Sequence, residues 1–210
     1  MTAITPFLFA GLLLGLSGGL TPGPLLALVA RETLQHGVRA GIGIALAPLL
    51  TDPPIILAAL LVLQPLADQN LPLALIHLGG GLYLGWLAVE SLRLQGAEQE
   101  WTPSTGSLQR GVIANFLNPS PYLFWLTVGA PTVLAAGRAG SLSVAAFILA
   151  FYMLLVGSKV LLAMALGRAR SVLRSRGYSV LMRGLGLLLL AYALGFLRES
   201  FRLLTAWASP

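Results

Sequence analysis

Two short motifs place prolines inside the most apolar stretches of the chain: Thr21-Pro22-Gly23-Pro24 and Asn118-Pro119-Ser120-Pro121. Thr and Asn are good N-cap residues, and a proline directly after an N-cap lacks an N–H that would be unpaired there anyway. Each motif therefore predicts a helix that begins at its first proline. Such a helix start carries bare N–H groups and a partial positive charge, so inside a bilayer it must face a partner or a wet cavity. The alternative is that these prolines only kink continuous helices.

Two charged residues also lie deep in apolar surroundings. Asp52 follows Thr51 and precedes Pro53, and Lys159 is the only lysine in the chain. A charge inside a membrane costs at least ~2.5 kcal/mol on insertion scales, so each of the two needs a compensating partner. Asp52 can exchange a proton, join an ion pair or cap a helix that begins at Pro53. Lys159 can pair with Asp52, attract an anionic ligand, or extend to the nearby helix end.

These groups together suit a small zwitterion. The N–H groups that begin near Gly23 and Ser120 match a carboxylate, whereas Asp52 or carbonyls released at the breaks match an ammonium group. Polar side chains can offset the desolvation of a buried ligand. The predicted substrate-binding residues are Thr21, Pro22, Gly23, Pro24, Asn115, Asn118, Pro119, Ser120 and Pro121, with Asp52 and Lys159 as coupling or ion-pair residues. Phe124 and Trp125 follow the second motif and either line a cavity or face lipid.

The elements that must position these residues are membrane helices. The chain is 57% hydrophobic and only 10% charged, with a mean hydropathy of +0.85. About 20 apolar residues are needed to cross a bilayer, and six such runs are present at about 6–30, 40–63, 72–92, 111–136, 142–166 and 180–204. The connections between them are short. We therefore expect a single all-α membrane domain over residues 1–210, with six transmembrane helices.

The net charge of +6 is distributed by loop. Most basic residues lie at the first, third and fifth loops: Arg31, Arg39, Arg93, Arg110, Arg168, Arg170, Arg174 and Arg176. The positive-inside rule then predicts that these loops are cytoplasmic and that both termini lie outside. This distribution argues against a nucleic-acid partner, which would require a basic face.

Each half of the chain, about 1–95 and 107–210, contains three of the apolar runs. Because three is an odd number, a duplicated half must enter the membrane in the opposite sense, as in many secondary transporters. The two halves match in position: the proline motifs fall in spans one and four, and the lone charges fall in spans two and five. The sequence therefore predicts a 3+3 inverted repeat with broken helices 1 and 4.

Four features occur in the same order as in one known family: Thr21-Pro22-Gly23-Pro24, a basic turn from Arg31 to Arg39 with Gly37 and Gly41, the mid-span Asp52, and Gly111-Val112-Ile113-Ala114-Asn115-Phe116-Leu117-Asn118-Pro119. The chain resembles the LysE/RhtB family of bacterial amino-acid exporters over nearly its whole length. The resemblance implies a bacterial cytoplasmic (inner) membrane protein. It also implies export of amino acids or related small solutes, driven by the proton gradient.

The chain departs from the pattern of that family at two places. The second motif reads Asn118-Pro119-Ser120 where the family has N-P-K, and Lys159 stands where the family often has an acidic residue. The substrate therefore stays open, and the alternative is a small anion or metal-ion transporter on a related LysE-like scaffold. No Ser/His/Asp or paired-carboxylate set suggests an enzyme, and no cofactor or resident metal is predicted. The expected partners are an amino acid or similar solute, protons and the lipid bilayer, and a homo-oligomer is left open.

Overall fold

The computed structural model describes residues 4–58, 70–93, 106–169 and 175–208, and these residues form helices and no strands. The segment 94–105 between the two predicted halves, and Arg170 and Arg174 of the fifth loop, lie outside the described residues.

The described part of the first half contains five helices. Helix α1 (Thr5–Leu20) and helix α2 (Pro24–His36) are separated by a short break and meet at a bend of 61°. Helix α3 (Val38–Ala45) follows after Gly37, which has a positive φ of 94°. Helices α4 (Ala47–Ala58) and α5 (Asn70–Arg93) complete this half.

The second half begins with a span that is interrupted twice. Its successive elements are α6 (Ser107–Phe116), α7 (Pro119–Phe124), a π-helical turn (Trp125–Gly129) and α8 (Ala130–Ala139). Two long helices follow, α9 (Ser141–Ala169) and α10 (Ser175–Ala208).

Several of these helices are apolar enough to cross a membrane. Within the described residues, α9 and the continuous pair α3–α4 (Val38–Ala58) meet this test by length and composition, and the bent pair α1–α2 adds a third. A shorter apolar stretch covers Ala74–Val89 of α5. The described parts of the six apolar runs are helical apart from Leu46 and the breaks at 21–23 and 117–118, and residues 59–63 of the second run lie outside the described residues. Many large apolar side chains point outward, which is typical of a surface that faces lipid.

The sequence of span two offered Asp52 as a cap for a helix beginning at Pro53, and this interpretation is wrong. Helix α4 runs through both Pro53 and Pro54. The Thr51 hydroxyl donates a hydrogen bond to the Ala47 carbonyl at 3.1 Å, as expected for a residue inside a continuous helix. Asp52 is therefore a mid-helix side chain.

Helix α1 packs closely against α9 through one face of small residues. Gly11, Gly15 and Gly19 are spaced four apart, so they lie on the same side of α1. A Cβ atom at Gly15 would collide with the Phe151 backbone, and one at Gly19 would collide with the Ser158 hydroxyl. Small residues of this kind allow membrane helices to approach at backbone distance.

The most extensive helix pairing joins α5 to α10, which carry the third apolar run of each half. Gly81 of α5 leaves no room for a Cβ beside Leu197 of α10. The neighbouring Gly80 packs against a different element. A Cβ there would collide with the Leu117 carbonyl in the break between α6 and α7. Helix α5 thus supports the second break directly.

Candidate substrate site

The first break begins one residue after α1 ends. Thr21 donates its hydroxyl to the Ser17 carbonyl at 2.6 Å, and its N–H bonds to the same oxygen at 2.9 Å. The N-cap of α2 is Gly23, and Pro24 is the first helical residue. The prediction that Thr21 caps a helix starting at Pro22 is therefore wrong, because the threonine hydroxyl bonds back to α1 instead.

The first break is locally rich in positive charge. Within the described part of the chain, the N–H groups of Gly23, Leu25 and Leu26 at the start of α2 form no hydrogen bond. The Nζ of Lys159 lies on the other side of the break and donates to the Gly18 carbonyl at 3.3 Å. The Pro22 carbonyl accepts from the Tyr192 hydroxyl of α10 at 2.6 Å.

Lys159 is buried, with 3% of its surface exposed. Its second hydrogen bond goes to the Leu155 carbonyl at 3.2 Å, one turn back along α9, so the side chain points away from the fifth loop. The interpretation that it extends to the nearby helix end is wrong. It forms no ion pair with Asp52 or with another carboxylate of the described segments.

The second break matches its sequence signal more closely. Asn118 has the extended backbone of an N-cap, and its Oδ1 accepts from the Ser120 N–H at 3.1 Å. Pro119 is the first residue of α7, as predicted. The cap and the two prolines, Pro119 and Pro121, leave no free N–H among the first three residues of this helix. The Ser120 N–H is therefore occupied by the cap and is not free to bind a carboxylate.

Asp52 lies beside this second break and is surrounded by neutral donors. Its Oδ1 accepts from the Asn115 amide at 3.2 Å and lies 3.5 Å from the Thr51 hydroxyl oxygen. Its Oδ2 accepts from the Tyr152 hydroxyl of α9 at 3.2 Å. Asp52 is 3% exposed, and Asn115 and Thr51 are buried with it.

Trp125 lies in the π-helical turn that follows the second break. Its side chain has no exposed surface, so of the two alternatives, cavity wall or lipid contact, it lies inside the protein. Its indole N–H makes no hydrogen bond within the described residues. It packs edge-on against Phe151, with the ring centres 5.6 Å apart.

The predicted residues thus separate into two groups. Asn115 joins Asp52 at the second break, and Lys159 joins the first break from α9. Asn118 and Pro119 are buried, whereas Thr21, Pro22 and Ser120 are exposed. Each break is therefore accompanied by one buried charge that comes from the other half of the chain: Lys159 at the break of the first half, and Asp52 at the break of the second.

Sequence reasoning missed a buried ionic group. The Glu32 cluster consists of Arg31, Glu32 and His36 on α2 and of Ser107 and Arg110 on α6. The Glu32 carboxylate has no exposed surface and lies 2.9 Å from Arg31 Nη1, 3.0 Å from Arg110 Nη1, 3.3 Å from His36 Nδ1 and 3.4 Å from the Ser107 hydroxyl. The sequence suggested only that Arg31 and Arg110 set the orientation of loops. The available signal was an acidic residue between Arg31 and His36 on the first broken span.

A family model described as LysE type translocator matches residues 16–200. The chain belongs to the LysE type translocator family. The matched range contains both breaks, Asp52, Lys159 and the Glu32 cluster. Neither a curated protein nor a solved structure matches the chain.

Proposed function

We propose that this LysE type translocator is a secondary active transporter that exports amino acids or related small zwitterionic solutes across the bacterial cytoplasmic membrane. It works by alternating access and exchanges its substrate for protons. One observation carries the proposal: Asp52 and Lys159 are buried opposite charges beside two different helix breaks, and they do not pair with each other. A buried charge without a counterion is costly, and a zwitterion supplies a counterion to both.

The ammonium end of the substrate binds Asp52. The hydrogen bonds that Asp52 accepts from the described residues come from neutral groups, the Asn115 amide and the Tyr152 hydroxyl. No described cation forms an ion pair with this carboxylate, so it can accept one from a ligand. Trp125 and Tyr152 lie next to it, and aromatic rings favour a neighbouring ammonium group.

The carboxylate end binds at the first break. There the free N–H groups of Gly23, Leu25 and Leu26 lie at the positive end of α2, and anions bind readily at such helix starts. Lys159 adds a full positive charge at the same break and has a third N–H to donate, since only two carbonyls accept from it. The first break is thus the anion subsite, and the second break is the cation subsite.

Helix packing supports the inverted repeat that alternating access uses. Span one packs along α9 of span five, and span four in turn packs along α3 and α4 of span two. Helices α5 and α10, which carry the third apolar run of each half, pair with each other. A pseudo-twofold axis in the membrane plane would exchange the first two pairings and map the third onto itself.

Asp52 also explains how export can be coupled to protons. A proton and a substrate ammonium compete for the same carboxylate, so binding of one releases the other. A carrier that returns only when Asp52 is occupied then exchanges one for the other. The proton moves inward while the amino acid moves outward.

The test is transport by the purified protein in proteoliposomes. A panel of labelled amino acids, matched amines and matched small carboxylates is loaded, and efflux is followed with and without an imposed pH gradient. If the proposal is correct, one or more amino acids leave the proteoliposomes, and a lower pH outside than inside accelerates this efflux. Efflux that ignores the pH gradient would remove proton coupling, and movement of amines or carboxylates alone would remove the zwitterion.

One specific feature favours a second candidate, a small-anion transporter on the same scaffold. Lys159 is a buried cation that forms no ion pair with the described carboxylates, and free N–H groups lie at the same break. An anion carrier needs this subsite but not Asp52. Transport of small carboxylates that survives Asp52→Asn would favour the second candidate over the first.

A further inference from the structure

The Glu32 cluster connects the two broken spans on one side of the molecule. Helix α2 is the arm of span one that leads from the first break to the α2–α3 connection, and α6 is the arm of span four that leads to the second break. Glu32 belongs to α2, whereas Ser107 and Arg110 belong to α6. The arms are therefore joined by an ion pair and a hydrogen bond between residues more than 70 positions apart in the sequence.

The burial of Glu32 makes this junction strong. A buried carboxylate is tolerated only while its charged and hydrogen-bonding partners stay in place. Here two guanidinium groups, from Arg31 and Arg110, lie within 3.0 Å of the same oxygen, Oε1. Separation of α6 from α2 would leave Glu32 without Arg110 and Ser107. The two arms consequently stay together unless water or another partner compensates the Glu32 carboxylate for the contacts that it loses.

The opposite arms carry no comparable junction. Helix α1, the other arm of span one, contains no charged residue, and the segment from α7 to α8 contains only Arg138, near its end. Among the described residues of these arms no ion pair is present. Among the described residues, an ion-paired junction between the arms of the two broken spans is therefore found on the side of the α2–α3 connection, which the basic loops predict to be cytoplasmic.

We propose that Glu32 and Arg110 form a gate that closes the substrate site on the side of the α2–α3 connection, and that this pair separates when the site opens to that side. The gate rests on the proposed function, because it presupposes a site to which access alternates. It adds two residues to the transport machinery that touch no part of the substrate site.

The test uses a reporter thiol, since the natural chain has no cysteine. Ser120→Cys places a single thiol at the exposed start of α7, at the second break. A charged, membrane-impermeant maleimide is added to right-side-out cells and to inside-out vesicles, and the labelling rate is measured from each face. The variant Glu32→Gln is compared with the parent reporter.

Loss of a buried ion pair shifts a two-state equilibrium strongly, so we expect Glu32→Gln to raise labelling from the α2–α3 face by at least about tenfold. Labelling from the other face should stay unchanged or fall. An unchanged rate, a rate that rises equally from both faces, or no labelling from either face would overturn the gate.

Two further variants protect the test against loss of folding. Glu32→Gln leaves Arg31 buried, so its folded state is checked by gel filtration. If it does not fold, Arg110→Gln decides by the same criteria, because the Arg110 side chain is 30% exposed and Glu32 keeps Arg31. Arg110→Lys retains the charge and should return the labelling rate towards the parent value.

A matched control is the exposed pair Glu199–Arg202 on α10, 2.6 Å apart. Glu199→Gln removes a carboxylate of the same type far from the gate and should leave labelling from both faces unchanged. The readout needs no substrate. Increased one-sided labelling without amino-acid transport would keep the gate and reject the proposed function, whereas amino-acid transport with unchanged labelling would do the reverse.

Discussion

Neutralisation of Asp52 should weaken substrate binding without unfolding the protein. In Asp52→Asn the side chain keeps its shape, and its remaining carbonyl can still accept from the Asn115 amide. The new amide N–H can donate to the Tyr152 oxygen once that hydroxyl rotates. The free energy of unfolding should therefore change by no more than about 1 kcal/mol. No described cation is left unpaired by the change.

The effect on the substrate should be much larger. A hydrogen bond between an ammonium group and a carboxylate contributes about 1.5–3 kcal/mol. Because each 1.4 kcal/mol is a factor of about ten, the KM for an amino acid should rise about tenfold to a hundredfold. The proton site disappears with the charge, so an imposed pH gradient should no longer accelerate efflux.

These quantities can be measured in proteoliposomes with a labelled amino acid at two external pH values. Tyr152→Phe is the graded comparison, since it removes one neutral donor but keeps the carboxylate, and it should change KM by less than about tenfold. Glu199→Gln is the control for loss of a carboxylate elsewhere. If Asp52→Asn retained the KM and the pH response of the parent protein, Asp52 would have no part in binding or coupling.

Three other changes test the remaining parts of the site. Lys159→Gln should lower the affinity for amino acids about tenfold or more, because the anionic end of the substrate loses its charged partner. The affinity for amines without a carboxylate should stay unchanged. Competition in efflux assays measures both affinities, and an equal loss for amines would contradict this assignment. Replacement of Pro22-Gly23-Pro24 by three alanines should turn α1 and α2 into one continuous helix and abolish export while membrane insertion survives, and normal efflux from that variant would disprove a site at this break. Gly80→Ala should destabilise the protein by about 1–3 kcal/mol through collision with the Leu117 carbonyl. Gly85→Ala on the same helix, whose added Cβ would make only an ordinary contact at 3.9 Å, should not; a thermal-shift assay in detergent compares the two, and equal melting temperatures would refute the packing account.

The two proline motifs illustrate how much local sequence can predict. Asn118 and Pro119 behave as expected, because Asn has a side-chain carbonyl that reaches the N–H two residues ahead. Thr21 has a hydroxyl that can donate as well as accept, and at this position it donates to Ser17 of the preceding helix. The choice between the two directions depends on how α1 packs. A break was therefore predictable at both motifs, but its capping residue was predictable only at one.

Contacts between distant segments of the chain were harder to predict from the sequence. The mid-span positions of Asp52 and Lys159 follow from hydropathy, but their assignment to the break of the opposite half depends on how α4 and α9 pack. Glu32 and Arg110 are 78 positions apart. Neither carries a local signal that pairs it with the other, since a charge near a helix end is equally consistent with a solvated loop.

The pairing of α5 with α10 has a mechanical consequence. In the proposed alternating-access cycle the two halves would move against a stationary frame, and the α5–α10 pair, the most extensive helix pairing among the described residues, is suited to that role. Two tyrosines connect this pair to the broken spans: Tyr192 donates to the Pro22 carbonyl, and Tyr83 of α5 donates to the Arg110 carbonyl at 3.3 Å. Both hydroxyls bond to backbone carbonyls, which every residue type carries. In the proposed transporter these two attachments would therefore tolerate changes in the side chains that select the substrate.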